Sequence, residues 1–230
     1  AYPGHPAYPG HPAYPGHPVR PARPPSRGEP MAKRLFDLIV AALALVLLSP
    51  VLLAVAAVVK LDSPGPIFFR QQRVGRFGVS FRIHKFRTMR HQPHETEALP
   101  ITVGDDARIT RSGRWLRRTR IDELPQLIDV LAGSMSLVGP RPEVPRYVAL
   151  YPPALRARAL AVRPGITDPA SLEFVDEAEL LARAADPERE YVEVILPRKV
   201  LRAAEYAERA TLASDLGVLL RTLRVLAGAR

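Results

Sequence analysis

The sequence of 230 residues has 33 lysines and arginines against 23 aspartates and glutamates, a formal charge of +10, and 47% apolar residues. This length allows one domain, or two small ones, with a sizeable core. Cysteine is absent, which excludes disulfides, thiolate metal sites and cysteine nucleophiles. The basic charge indicates an anionic partner, and nucleic acid, a phospholipid surface and a phosphorylated small molecule are all compatible with it.

Residues 1–30 are expected to form a disordered segment in front of the fold. Residues 1–18 repeat Ala-Tyr-Pro-Gly-His-Pro three times, and this segment buries too little to offset the entropy of ordering it. A perfect triplication is typical of an added tag or linker, with upstream translation as the alternative, so Met31 is the expected natural start. The segment contributes three arginines and one glutamate, so a charge of +8 remains without it.

Residues 31–60 are predicted to be a membrane segment. From Leu38 to Val59 there are 22 residues without a charge, which as one straight helix would reach about 33 Å and cross a hydrocarbon core of about 30 Å. Ser49-Pro50 interrupts this run and forces a kink. Two half-helices could enter and leave the same face of the bilayer, and a kinked span is the alternative. Basic residues at both ends favour two cytoplasmic ends: Lys33, Arg34 and Lys60.

A small β-hairpin is predicted within residues 67–85. Val79, Phe81 and Ile83 alternate with polar residues, which is the period of a half-buried strand. His84 falls on the polar face without a second ligand at metal-binding spacing, so we expect a solvated histidine. The polar stretch 91–107 contains two prolines and a glycine and predicts a surface loop.

Six arginines surround Trp115 in residues 108–120. Arg111, Arg114 and Arg118 would share one face of a helix. This face is either a solvated surface or a bed for phosphates and lipid head groups, and the neighbouring membrane segment favours head groups. Trp115 suits the membrane interface and the protein core equally well.

The acidic pair Asp122-Glu123 follows these arginines directly. Carboxylates among guanidiniums stay ionised, so Asp122 could act as a nucleophile or a Mg²⁺ ligand. A salt-bridged acidic helix start explains the same residues without any chemistry. Further on, Arg141 stands in a turn between Pro140 and Pro142, which leaves it little entropy to lose and suits a bidentate phosphate contact.

The C-terminal residues predict a basic amphipathic helix. Leucines recur at helical spacing from Leu212 to Leu226, with Arg221 and Arg224 among them. Such a helix could lie on a bilayer surface or pack against the core of the domain.

Four motifs follow one another in the order Lys85-Phe86-Arg87-Thr88-Met89, Asp122-Glu123-Leu124-Pro125-Gln126-Leu127, Ser136-Leu137-Val138-Gly139-Pro140-Arg141-Pro142 and Arg163-Pro164-Gly165-Ile166-Thr167. Together they resemble the bacterial sugar transferases, monotopic phosphoglycosyl transferases that begin cell-surface glycan assembly. The resemblance covers residues 31–230 and is greatest with the small members. Ser134 and residues 168–171 depart from the usual pattern at positions that leave the resemblance intact.

The resemblance implies transfer of a sugar 1-phosphate from a UDP-sugar to polyprenyl (undecaprenyl) phosphate, with release of UMP. Asp122 would attack the β-phosphorus, hold the phospho-sugar covalently and also hold Mg²⁺. Glu123 would orient the site or accept a proton. The remaining implied contacts are Arg141, Lys85 and Arg87 with the phosphates of the donor, and Arg117 with a lipid or acceptor phosphate.

These patterns predict a mainly α fold with a small β-hairpin. A re-entrant membrane helix, broken at Ser49-Pro50, and interfacial amphipathic helices would surround a single catalytic core. We expect a tail at 1–30, the membrane helix at 31–60 and a catalytic domain at 61–230 on the cytoplasmic face of the bacterial inner membrane. Expected partners are a UDP-sugar, polyprenyl phosphate and the phospholipid membrane, without nucleic acid. The alternatives are a membrane-anchored basic adaptor that binds anionic lipid or nucleic acid without chemistry, and a transferase for another nucleotide-activated donor.

Overall fold

The structure is a computed structural model that describes residues 30–90 and 106–228. The predicted tail up to residue 29 and positions 91–105 of the predicted surface loop lie outside these ranges. Within them the chain is mainly helical, and its six short strands form three two-stranded ladders. This confirms the predicted mainly α fold with a small β-hairpin.

The strands are β1 (Phe68–Phe69), β2 (Gln72–Val74), β3 (Ser80–Arg82), β4 (Lys85–Phe86), β5 (Ser136–Val138) and β6 (Gly165–Thr167). The helices are α1 (Met31–Asp62), α2 (Arg111–Thr119), α3 (Gln126–Leu131), α4 (Pro145–Val148), α5 (Pro153–Ala159), α6 (Pro169–Glu173), α7 (Glu177–Arg183), α8 (Pro187–Glu190), α9 (Leu196–Arg209) and α10 (Leu212–Leu226). A 3₁₀ turn covers Ile121–Glu123, and a π-helical turn at Tyr191–Ile195 joins α8 to α9.

Helix α1 is 32 residues long and stays helical across Ser49-Pro50. The two separate half-helices that the sequence predicts are therefore not observed. The physical reason is local: the Ser49 hydroxyl donates to Val46 O at 2.8 Å, the carbonyl that Pro50 has no N–H to reach. Among the described helices, α1 is the one long and apolar enough to cross a membrane.

One stripe of α1 packs against the rest of the fold along nearly its whole length. In its first half Ala41 is buried against the cluster around Val130 of α3, and in its second half Val59 is buried beside Leu116 of α2. The opposite face exposes large apolar side chains: Leu35, Ile39, Leu43, Val46, Leu47, Leu53 and Val58. Both halves of the helix therefore pack against the same folded domain, and the apolar face on the opposite side of α1 is exposed.

Strands β1 to β4 form the predicted hairpin. β1 pairs antiparallel with β4, and β2 pairs antiparallel with β3, with Arg73 opposite Phe81. The aromatic rings of Phe68 and Phe86 stack across the outer pair, and Phe86 is buried against α1 and α2. This packing fixes the position of Lys85, which precedes Phe86 on β4.

Strands β5 and β6 form a parallel pair that the sequence analysis did not predict. Val138 lies opposite Thr167, and the two backbones approach so closely that a Cβ on Gly139 would lie 2.3 Å from Arg163 O. This pair brings the third and fourth sequence motifs side by side. The turn that carries Arg141 begins directly at the end of β5, so the pair fixes the root of that turn.

The helices after β5 form a second layer around this pair. Helices α5 and α9 pack against each other, and α10 packs on β5 and β6 through the buried side chain of Val218. The leucine face of α10 is exposed: Leu212, Leu216, Leu220, Leu223 and Leu226. Of the two alternatives left open by the sequence, this exposure favours a surface helix over one whose leucines fill the core.

Candidate active site

The acidic pair lies in a short turn between two helices. Helix α2 is N-capped by Thr110, whose hydroxyl accepts from Gly113 N at 3.0 Å, and it ends at Arg120 in the left-handed conformation with φ 59°. The chain then makes the 3₁₀ turn and enters α3. Asp122 and Glu123 are both buried in this turn, 1% and 6% exposed. A buried carboxylate requires a partner of opposite charge, and the surrounding elements supply several.

Two of the predicted site residues meet the acidic pair directly. Lys85 Nζ lies 2.8 Å from Asp122 Oδ2 and 3.1 Å from Glu123 Oε1. Arg141 forms a bidentate pair with Glu123, with NH1 3.0 Å from Oε2 and NH2 2.5 Å from Oε1. The hairpin, the acidic turn and the proline-bracketed turn are thus joined by one cluster of two cations and two anions.

The charges in this cluster set its protonation states. Burial alone would raise the pKa of Glu123, but Arg141 and Lys85 outweigh it and hold that pKa well below its usual value. The Glu123 carboxylate in turn raises the pKa of Arg141 against the effect of burial. Glu123 is therefore a permanent anion at neutral pH. Of the two implied roles, this favours orienting Arg141 and Lys85 over accepting a proton.

Asp122 has one carboxylate oxygen that is not paired with a cation. Its Oδ2 is paired with Lys85, whereas its Oδ1 is buried and has no hydrogen-bond partner. An unsatisfied buried acceptor costs free energy unless function uses it, so this atom is the natural candidate for attack on phosphorus or for contact with a cation. No group of three or more His, Cys, Asp or Glu side chains in the described ranges could hold a metal ion. Mg²⁺ is commonly held by one or two carboxylates together with substrate phosphates, so a single Asp122 oxygen fits such a site.

Arg117 lies beside this pair on the last turn of α2. Burial lowers the pKa of its guanidinium, against the opposing influence of Asp122 and Glu123. Within the part of the chain that the structure describes, its side chain makes no ion pair. It is therefore a cation near the acidic turn whose hydrogen-bond donors are available to an anionic ligand.

Asp168 supports the Arg141 turn, and the sequence analysis did not identify it as a site residue. Its carboxylate accepts from Ser171 N at 2.7 Å as the N-cap of α6, and it lies 3.4 Å from the backbone N of Arg141. An aspartate followed by proline is a helix-start signal. That signal could have found the cap, but the contact with Arg141 depends on the β5–β6 pairing and is invisible in the sequence.

Comparison with known proteins identifies the family of this chain. The model of the family described as bacterial sugar transferase matches residues 28–229. The chain belongs to the bacterial sugar transferase family. Among its curated relatives are two UDP-glucose:undecaprenyl-phosphate glucose-1-phosphate transferases. One, from Xanthomonas campestris, is 48% identical over 60% of this chain and 29% of its own length, and the other, from Caulobacter vibrioides, is 40% identical over 84% and 68%.

A third relative carries a different sugar in its name. The UDP-N-acetylgalactosamine-undecaprenyl-phosphate N-acetylgalactosaminephosphotransferase of Aeromonas hydrophila is 46% identical over 59% of this chain and 32% of its own length. The chain thus spans about a third of the length of the Xanthomonas and Aeromonas proteins. Relatives of similar identity are named for different sugars, so the family match fixes no particular sugar.

One predicted phosphate-binding residue of this bacterial sugar transferase lies elsewhere. Arg87 is 4% exposed, and its guanidinium donates to three backbone carbonyls at the C-terminal end of α1, those of Val59, Ser63 and Pro64. These are carbonyls that the end of a helix leaves without partners. The guanidinium that the sequence assigns to donor phosphate therefore caps the C-terminal end of α1 in this structure.

His84 of this bacterial sugar transferase is also not the solvated residue that the sequence predicts. Asp129 Oδ1 lies 2.7 Å from His84 Nδ1, and Asp129 Oδ2 accepts from the backbone N of His84 at 2.7 Å. The side chain is 19% exposed. The aspartate comes from α3, 45 positions away, which is why no local spacing indicated it. This contact ties β4, and with it Lys85, to the helix that follows the acidic turn.

The arginine-rich helix α2 lies at the C-terminal end of α1. Asp62, the last residue of α1, accepts from Ser112 N at 3.0 Å and from Ser112 Oγ at 2.7 Å. Trp115 is 52% exposed, which excludes the predicted core alternative for it. Its neighbours on the same helical face are exposed as well: Arg111, Arg114 and Arg118. In this member of the family the basic face and its tryptophan therefore border the C-terminal end of α1.

Proposed function

We propose that this chain transfers a sugar 1-phosphate from a UDP-sugar to polyprenyl phosphate and releases UMP, as the first membrane step of surface glycan assembly. The observation that carries this proposal is the buried Asp122, whose free Oδ1 lies in a turn bordered by Lys85, Arg117 and Arg141. A carboxylate nucleophile among cations is the arrangement that attack on a diphosphate requires. The names of the relatives support the donor and acceptor classes.

The reaction proceeds in two displacements at one phosphorus. An Asp122 oxygen forms a bond to the β-phosphorus of the donor, and the bond from that phosphorus to the oxygen bridging to the α-phosphate breaks, so that UMP leaves with the electron pair. A phosphate oxygen of the polyprenyl phosphate then attacks the same phosphorus and expels the Asp122 carboxylate. The product is a polyprenyl diphospho-sugar. Two steps let one site meet a water-soluble donor and a membrane-bound acceptor in turn.

The cations near the acidic turn have different roles in binding the phosphates. Arg141, held in place by Glu123 and its flanking prolines, offers a planar fork to the donor diphosphate. Lys85 would neutralise charge beside the attacking carboxylate, and Arg117 would meet the phosphate of the acceptor. Asp122 would hold Mg²⁺ together with the donor phosphates, and the bound ion would supply neutralisation of the diphosphate charge.

The attachment of α1 at both ends supports placing both ends on one side of the bilayer within this proposal. Lys33, near its start, donates to Val138 O at 3.1 Å, and Val59 O, near its end, accepts from Arg87 at 3.2 Å. A helix that crossed the bilayer would put about 30 Å of hydrocarbon between these two contacts, yet both are made by one folded domain. We therefore place both ends on the same side, with the exposed apolar face of the helix in the lipid.

Helices α2 and α10 have exposed faces that suit the lipid interface. The exposed leucines of α10 and the basic face of α2 would lie in the lipid interface, which is the arrangement of monotopic amphipathic helices. The basic residues Lys33, Arg34 and Lys60 at the two ends of α1 assign that side to the cytoplasm by the positive-inside preference. Asp122 then stands at the level of the acceptor phosphate.

UMP release tests the proposal. The full chain in lipid nanodiscs, given undecaprenyl phosphate, Mg²⁺ and a panel including UDP-glucose and UDP-N-acetylgalactosamine, should release UMP with at least one donor and stop when EDTA removes the metal. Asp122→Asn is the matched control and should release none. No UMP across the panel would contradict the proposal. Salt-dependent nucleic-acid binding without turnover would support the basic adaptor instead. Turnover only with a donor activated by another nucleotide would support the transferase for such a donor.

A further inference from the structure

A buried polar cluster joins the membrane helix, strand β5 and the two C-terminal helices. Lys33 Nζ from α1 lies 2.5 Å from Asp215 Oδ2 of α10 and 4.0 Å from Asp37 Oδ2 of its own helix. Asp37 and Asp215 are each 1% exposed. The Tyr206 hydroxyl from α9 lies 2.7 Å from Asp215 Oδ1. The proposed chemistry uses none of these groups, and burying three charges is costly unless their geometry serves the fold or the site.

This cluster converges on a single peptide unit. The carbonyl of Val138 receives Lys33 Nζ at 3.1 Å and lies 3.0 Å from the Tyr206 hydroxyl. On the other side of the same peptide, Gly139 N donates to Thr167 O of β6 at 3.0 Å. A side chain at Gly139 has no room, so this peptide cannot shift toward β6. The Val138–Gly139 peptide is therefore held from both sides.

The clamped peptide lies two residues before the phosphate-binding arginine. Pro140 and Pro142 restrict the backbone on both sides of Arg141, so a displacement at Gly139 is transmitted to the guanidinium with little local relief. A planar fork binds a diphosphate well only when it is placed to within a fraction of an ångström. Among the described residues Lys33 and Tyr206 contact Val138 O and Asp215 and neither Arg141 nor the acidic pair, so both would act through the backbone that leads to Arg141.

We propose that Lys33, Tyr206 and Asp215 are positioning residues that couple the seating of the membrane helix to the affinity of the Arg141 turn for the donor diphosphate. The inference rests on the proposed function for the identity of the ligand. It assigns to the membrane helix a role in donor binding, besides anchoring, because the helix itself supplies Lys33. The catalytic domain would contain every donor-binding side chain and still bind the donor poorly when α1 is not seated.

The test compares two hydroxyl deletions in buried tyrosines. Tyr206→Phe removes the contact with Val138 O and Asp215 while keeping the ring. Tyr147→Phe is the matched control, because Tyr147 is 1% exposed and its hydroxyl has no hydrogen-bond partner. With the full chain in nanodiscs, we measure the dissociation constant for UDP and the hydrogen exchange of the peptide covering residues 136–142. Asp215→Asn is a second variant of the same cluster. Its result decides the test if Tyr206→Phe does not fold.

We expect Tyr206→Phe to weaken UDP binding about three- to tenfold and to speed exchange in residues 136–142, the size of effect that one buried hydrogen bond carries. Tyr147→Phe should change neither. Faster exchange with unchanged UDP affinity would overturn the proposal, because it would show a purely structural contact, and so would no change in either. Wild-type protein that binds UDP but releases no UMP defeats the proposed function alone, whereas wild-type protein that binds no UDP defeats both.

Discussion

At the scale of single residues, the site separates side chains that contact the acidic pair from side chains that hold structure. Lys85 and Arg87 stand two positions apart in one motif, yet Lys85 lies 2.8 Å from Asp122 Oδ2 while Arg87 caps the C-terminal end of α1. Burial decides the difference: Arg87 is 4% exposed and surrounded by backbone carbonyls. Proximity in sequence to a catalytic motif therefore does not give a cation a catalytic role.

This separation predicts different outcomes for two charge deletions. Lys85→Met should lower kcat by at least about 100-fold with little change in melting temperature, because it removes an electrostatic contact to the nucleophile. Arg87→Met should lower the melting temperature by several degrees, because buried carbonyls lose their donors, and should leave kcat per folded molecule within about threefold. Thermal unfolding and UMP release on the same samples measure both. A Lys85→Met protein as active as wild type, or a stable Arg87→Met protein without activity, would contradict the assignment.

Glu123 should make the fold sensitive to acid. Its pKa in the folded protein lies well below its value in the unfolded chain, about 4.3. Its ion pairs therefore contribute their full stability above that unfolded value, and the contribution is lost as the pH falls through the folded pKa. Melting temperatures of wild type and Glu123→Gln in nanodiscs should differ at pH 7 and converge below about pH 4. Parallel curves across this range would show that the pairing adds no stability.

At the scale of secondary-structure elements, the sequence predicts elements whose apolar residues recur at a regular spacing. It does not predict pairings between residues that are far apart in the chain. The alternation of Val79, Phe81 and Ile83 is enough for the hairpin, because a period of two is a local property. Strands β5 and β6 are three residues each, too short for any period, and their pairing joins Val138 to a residue 29 positions away. The contact of His84 with Asp129 escapes local reasoning for the same reason.

For helix α1, the sequence predicts a local feature but not the contacts of the helix with the rest of the fold. Ser49-Pro50 correctly indicates an irregularity in backbone hydrogen bonding, but the Ser49 hydroxyl bonds Val46 O and the helix continues. The sequence could not supply the more telling observation, which is that both ends of the helix contact one domain. The acidic pair and Arg141 were found from their motifs, while the ion pairs that join them to Lys85 required the fold.

The topology of α1 can be tested because the chain has no cysteine. Met31 and Leu61, at the two ends of the helix, are 89% and 87% exposed, so Met31→Cys and Leu61→Cys should leave the fold intact. In inside-out membrane vesicles a membrane-impermeant maleimide should label both variants, and in right-side-out cells it should label neither. Labelling of one variant from each side would show that the helix crosses the bilayer.

At the scale of the whole molecule, the proposal assigns the exposed apolar and basic surfaces to one membrane-facing side. The exposed face of α1, the leucines of α10 and the arginines around Trp115 would then place the acidic turn beside the lipid interface. The positive charge of the sequence, which is compatible with nucleic acid when averaged, would serve a carboxylate pair and a bilayer surface. On this proposal the fold brings a soluble donor to a lipid acceptor.

Trp115 reports on this placement because it is the single tryptophan of the chain. In nanodiscs containing lipids brominated near the head of the acyl chain, its fluorescence should be quenched more strongly than in nanodiscs with bromine near the chain end. A soluble quencher should reach it less in lipid than in detergent. Equal fluorescence with and without brominated lipid would place α2 away from the membrane.

The covalent intermediate is the central claim, and intact-mass measurement tests it most directly. Wild-type protein incubated with its UDP-sugar and Mg²⁺, but without polyprenyl phosphate, should gain the mass of one phospho-sugar and lose it when the acceptor is added. Asp122→Asn should gain no mass, and Glu123→Gln should gain it more slowly, because Arg141 loses its partner. An adduct that forms equally on Asp122→Asn, or UMP release by wild type without any adduct, would contradict the account.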